Sequence, residues 1–208
     1  MRKYKKEITF LFVAIAFFLV SMYQLHLEET KQQIAGKVLR FHVLANSDCA
    51  EDQALKLAVR DQVGTYVGAQ LSGATSLEES QELLIAHLDD IEQCAQEEID
   101  RHGYHYDVTA SLESTYFPEK AYGKASFPAG EYQALRVVIG EGAGKNWWCV
   151  LYPNLCFMGN LYQVDEEAGA EKLKQVLSPE EYQLVMESKD YEVKSKLVEI
   201  MEEIFTNP

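Results

Sequence analysis

Residues 37 to 63, KVLRFHVLANSDCAEDQALKLAVRDQV, constrain the fold more tightly than any other stretch. Leu39, Phe41, Val43 and Ala45 alternate with Val38, Arg40, His42 and Leu44, the period of two that places successive side chains on opposite faces of a strand. The run breaks at Asn46-Ser47-Asp48, three residue types that start helices. Asp48 and Glu51 have the spacing of a capping box. Leu55, Val59, Val63, Tyr66, Val67 and Leu71 then recur at steps of three and four, the apolar stripe of a helix. A strand therefore runs through a polar, acidic corner into a helix, and corners of this kind carry function more often than the middles of elements do.

The chain opens with a targeting segment. Arg2, Lys3, Lys5 and Lys6 precede a thirteen-residue run from Ile8 to Val20 in which Thr9 is the only polar residue. A span needs roughly 20 apolar residues, and extension to Leu27 reaches that length. Leu19 stands where a small residue would mark a cleavage site, so the segment reads as an export signal able to persist as an anchor. Basic residues hold the N-terminus inside, which predicts a body outside the cytoplasmic membrane. The expected division is 1–27 signal or anchor, 28–36 linker and 37–208 extracytoplasmic domain.

Net charge narrows the partners. The whole chain carries −14, and removing the +3 of residues 1–27 leaves −17 on residues 28–208. Such a body repels phosphate backbones, and no basic stripe with interleaved aromatics offsets it, so nucleic acid is not expected as a partner.

Further along, Ser76 and Glu79 form a second capping box and open a helix carrying Leu77, Leu84, Leu88, Ile91, Ala95 and Ile99, with Gly103 as its stop. Its acidic outer face reads as solvated. Tyr104 to Tyr116 alternates as a strand with Tyr106, Val108, Ala110, Leu112 and Tyr116 inward. A long loop precedes a strand at 132–139, the glycine-rich 140–146 reads as a hairpin turn, and the apolar strand 147–152 is placed centrally. Ser178-Pro179 with Glu181 starts a tail helix, and Val193, Leu197, Ile200, Met201 and Ile204 mark a last one. The fold class is α+β: a three- to four-stranded, mostly antiparallel sheet with helices on one face, behind an N-terminal signal or anchor helix.

Chemistry is sparse. GEGAGKN is not a phosphate loop, because Ile139 stands in the place of the first glycine, Asn146 in that of the Ser/Thr, and a strand follows. Cys149 or Cys49 with His42 can be drawn as a nucleophile and base, but Cys149 sits in an apolar strand that resists thiolate formation. No catalytic residue, cofactor or metal set is assigned. Cys149 and Cys156 flank a turn at Pro153-Asn154, and a disulfide between them stays open, since diagonal positions sit ~7 Å apart. Trp147 and Trp148 point to opposite sides of their strand, one to the core and one available for recognition.

RFHVLANSD, EDQ and LKLAVRD, with GEYQALRVVIGEGAGKNWWCVLYPNLCF at 130–157, resemble the stage II sporulation protein R family of endospore formers. The two blocks cover roughly a quarter of the chain. Matching positions are Arg40, His42, Asn46, Ser47, Asp48, Asp52, Gln53, Arg60 and Asp61, then Gly130, Tyr132, Arg136, Asn146, Trp147, Trp148, Cys149 and Cys156. The resemblance implies an intercellular signal, exported into the space between forespore and mother cell. It would activate a membrane-embedded aspartic protease that processes a sigma-factor precursor. The first-block residues with Trp147 and Trp148 are the candidate partner contacts. A cell-wall hydrolase and a glycan-binding module are the alternatives.

Overall fold

The computed structural model describes residues 2–155 and 166–187. Helix α1 (Arg2–Ala35) leads into strand β1 (Leu39–Leu44). Helices α2 (Ala50–Gln70), α3 (Leu77–Ala86) and α4 (Leu88–Arg101) follow. Then come β2 (Val108–Phe117), the short strands β3 (Lys120–Tyr122) and β4 (Ala125–Phe127), β5 (Gly130–Ile139) and β6 (Asn146–Tyr152). Helices α5 (Glu166–Val176) and α6 (Pro179–Glu187) complete the described chain. The predicted last helix, at residues 193–204, and Cys156 lie outside the described residues.

The main sheet has the order β2-β5-β1-β6. β1 runs parallel to β5 and antiparallel to β6, and β2 runs antiparallel to β5. The α+β class and the mostly antiparallel four-stranded sheet are as expected from the sequence. β1 and β5, not β6, occupy the centre, so the apolar strand 147–152 is at the end of this order. Its apolar character has another cause: both of its faces are covered.

One face carries α2, α3 and α4. Leu39, Phe41 and Val43 of β1 pack there with Leu55, Val59, Val63, Leu84, Ile91 and Ile99. The expected helix from 76 to 103 divides at His87, which ends α3 and precedes α4. Tyr116, expected inward, is 61% exposed, whereas Phe117 is fully buried on the opposite face. That face has a cover the sequence did not suggest. Ile34 of α1, the β3–β4 hairpin, Leu173 and Leu177 at the end of α5 and Val185 of α6 pack on Val38, Ala134 and Val150. The hairpin lies inside what reads as a long loop, its strands only three residues each.

Residues 28–35 of the polar linker are helical and continue α1. Large apolar side chains from Phe10 to Leu25 stand exposed, while Thr30 and Ile34 are buried. From Phe10 onward α1 is the described helix long and apolar enough to cross a membrane.

Candidate functional site

The corner 45–53 is a knot of local hydrogen bonds. Cys49, not Asp48, is the N-cap of α2, and its Sγ accepts from the Asp52 backbone N–H at 3.4 Å. The predicted Asp48–Glu51 capping box does not form. The Asp52 carboxylate accepts from Ser47 Oγ at 2.6 Å and Asn46 Nδ2 at 2.9 Å. These bonds hold its acidity below the usual carboxylate range, Ser47 most and Asn46 next, with burial acting the other way. Gln53 Nε2 donates to the Ser47 carbonyl at 2.9 Å.

Segment 140–145 clasps this knot. It is no hairpin turn, because β5 and β6 flank β1 and the chain must pass over the end of β1 to join them. Gly144 N–H donates to Ala45 O, Ala143 N–H to Asn46 O, Glu141 N–H to Asn46 Oδ1, and Lys145 N–H to Asp48 Oδ1. Buried Lys56 reaches across from α2 to the Lys145 carbonyl at 3.0 Å. A Cβ at Gly144 would stand 2.2 Å from the Ser47 carbonyl oxygen, so only glycine permits this approach. The two sequence blocks thus meet at one junction. Asn46, Ser47, Asp52 and Gln53, expected as partner contacts, have structural partners there, and Asp48 is the exposed acid of the group.

Arg40 and His42 do not pair with the corner's carboxylates. They project from the other sheet face. Arg40 is fully buried in a cage of Phe117, Tyr132, Phe127 and Tyr122, its guanidinium 4.4 to 5.5 Å from the four ring centroids. It donates to the Cys149 carbonyl at 3.1 Å and to the Tyr122 hydroxyl at 2.9 Å. Burial lowers its pKa and pushes the Tyr132 phenol up to about 12.

One row further along, Trp148, His42 and Arg136 stand side by side on β6, β1 and β5. The His42 ring stacks on Trp148 at 5.9 Å, and its Nε2 meets Asn146 Oδ1 at 2.8 Å. Burial holds the imidazole below the ordinary histidine value, although the bond to Asn146 acts upward. Arg136 donates to Glu113 at 2.9 Å, and Lys120 Nζ sits 4.2 Å from the Trp148 ring centroid. Arg136, one of the matching positions, joins the candidate contacts His42 and Trp148 here, together with Glu113 and Lys120, which nothing in the sequence singles out. The signal was available in period two: Arg136 shares a face of β5 with Tyr132 and Ala134, but its neighbour is set by the parallel register.

Trp147 points to the helix face, edge-on to Phe41 at 5.5 Å with the Arg60 guanidinium 5.0 Å from its ring centroid. Arg60 in turn pairs with Asp61 at 2.6 Å. Cys149 is disulfide-bonded, and Cys49 and Cys94 are free thiols. Cys149 lies on the helix face and His42 on the other, so the dyad drawn on the sequence does not form. Among the described residues no three His, Cys, Asp or Glu side chains gather as a metal would require.

The model of the family described as stage II sporulation protein R matches residues 35–162. Stage II sporulation protein R of Bacillus subtilis (strain 168) is similar, with 36% identity over 163 residues, 72% of this chain and 73% of that protein. No solved structure matches.

Proposed function

The chain belongs to the stage II sporulation protein R family of sporulation signalling proteins, and from that premise we propose that it is an exported signal that switches on a membrane-embedded aspartic protease. That protease would then release a sporulation sigma factor from its precursor. The family match carries the reading. Supporting it are a basic N-terminus leading into an apolar helix, and a body of net charge −17 behind it. The signal acts from the space between forespore and mother cell, with α1 as its export segment and membrane tether, and residues 37–208 as the signalling domain.

Two features drawn for the rival readings find no support in the geometry. A cysteine hydrolase needs thiolate and imidazole on one side of the sheet, and Cys149 and His42 are on opposite sides. A glycan platform needs an open indole face. The Trp147 ring meets Phe41 and Arg60, and the Trp148 ring meets His42 and Lys120.

Co-expression decides the matter. The full chain, a candidate protease and its sigma-factor precursor are placed in a host that lacks all three. Processing should require the chain and should fail when residues 1–22 are deleted so that the chain stays in the cytoplasm. Equal processing with and without the chain would overturn the proposal.

A further inference from the structure

Among the described residues, four buried side-chain nitrogens have no hydrogen-bond partner: Arg40 Nη1, His42 Nδ1, Arg136 Nε and Trp148 Nε1. All four belong to side chains on the same sheet face. A buried donor or acceptor left unpaired is costly, so three such atoms in one row form an unfavourable arrangement unless something completes it. His42 lies opposite Arg136 on one side and Trp148 on the other. Strands lie about 4.8 Å apart, so the three side chains share a strip about 10 Å wide.

The chemistry of the missing partner can be read from these atoms. Arg Nε and Trp Nε1 donate and cannot accept, so it must be an acceptor. With Nε2–H of His42 directed to Asn146 Oδ1, Nδ1 turns from acceptor to donor once the ring is protonated, which an approaching negative charge favours. Among the described residues, the charged contacts of the strip are Arg136 and Lys120 on one side of the balance and Glu113 on the other, so the field favours an anion. The body around it carries −17, which repels a polyanionic surface while one buried negative group remains attractive. A carboxylate offers two oxygens and about four lone pairs in a plane, enough for several converging donors.

We propose that the strip formed by Trp148, His42 and Arg136 is a carboxylate-binding site that takes an acidic side chain of the protein this chain signals to. The identity of that partner rests on the function proposed above; the site itself does not. Glu113 already occupies one Nη of Arg136 and tunes the site by competing for it. A carboxylate arriving at Arg136 Nε or at Trp148 Nε1 satisfies an unpaired donor of the row, with His42 between them.

The test uses the full chain in detergent micelles with ¹⁵N-labelled tryptophan. Its two indole N–H resonances are assigned with Trp147→Phe, and sodium acetate is the probe at ionic strength held constant with sodium chloride. The Trp148 resonance should move downfield and saturate while that of Trp147 stays in place. Arg136→Gln should weaken the titration about tenfold or more, and Glu113→Gln should strengthen it several-fold, both variants melting close to the parent. No saturable movement, or the same movement with chloride, overturns the site; phosphate binding tighter than acetate overturns its carboxylate class. In the co-expression assay Arg136→Gln should reduce processing about tenfold or more. Normal processing with acetate binding lost overturns the partner assignment alone. Processing absent even with the parent chain counts against the proposed function, and the titration still decides the site.

Discussion

Ser47 donates its hydroxyl to the Asp52 carboxylate at 2.6 Å, tying the exit of β1 to the first turn of α2. Asn46 donates to the same oxygen, and Asp52 is 3% exposed. Removing that acceptor leaves two donors without their partner. Asp52→Ala should therefore destabilise the domain by about 2 kcal/mol or more, and urea midpoints measure it. The sign of the pH dependence follows from the lowered acidity of the folded carboxylate. Its contribution is present above the unfolded pKa of about 4 and is lost as pH falls through the folded value. Parent and Asp52→Asn should thus converge in stability as pH falls from 6 toward 3. A constant difference across that range would show that the carboxylate charge is not what holds the corner.

Cys49 performs a cap's task with a weak acceptor. Its Sγ is 3.4 Å from the Asp52 amide, in a position where serine, threonine, asparagine and aspartate are preferred. Cys49→Ser should raise stability, by about 0.5–1 kcal/mol, and should leave signalling unchanged. A lower urea midpoint would mean that the thiol contributes packing beyond its cap.

Arg40 poses the opposite case, a buried cation among four aromatic rings with no carboxylate bonded to it among the described residues. Arg40→Ala should cost about 3–5 kcal/mol, because it empties the cage and strips the Cys149 carbonyl of its donor. Arg40→Met fills the same space without a charge to desolvate, and should come within about 1.5 kcal/mol of the parent or exceed it. Thermal melts of the two variants separate packing from charge. A methionine variant as unstable as the alanine one would show that the cation–ring contacts themselves hold this core.

Strand β1, helix α2 and the capping boxes at Ser76 and Ser178 were legible because each is written in residues two to four apart. Glu79 N–H meets Ser76 Oγ at 3.1 Å, and the Ser178 N–H meets Glu181 Oε2 at 2.7 Å. Long-range choices were not legible. Whether β6 pairs with β5 or with β1 depends on a crossover over β1 that glycine spacing mimics as a hairpin. Asp52 and Arg40 stand among the candidate partner contacts yet are buried, for a related reason. A charged residue near a turn looks solvated until the segment that covers it is known, and here residues 140–145 and the β3–β4 hairpin come from far along the chain. The pairing of Arg136 with His42 was not legible because nothing local links the two, 94 positions apart in sequence but directly opposite in the parallel register.

Helix α1 ends inside the domain. His26 Nε2 meets Glu180 Oε1 at 2.5 Å, Ile34 is fully buried, and Lys37 pairs with Glu181 of α6 at 2.6 Å. Glu181 is itself buried, which acts to raise its pKa, yet Lys37 and the Ser178 backbone N–H hold it below the usual range. The upstream part of α1, by contrast, shows solvent a row of apolar side chains. An unrelated signal peptide replacing residues 1–22 should therefore leave folding and signalling intact. The same replacement extended through residue 35 removes Thr30 and Ile34 from the second core, and truncating one buried isoleucine alone costs about 2–5 kcal/mol. That chimera should melt several degrees below the first and signal only in proportion to its folded fraction. Equal melting temperatures would show that residues 23–35 serve export alone.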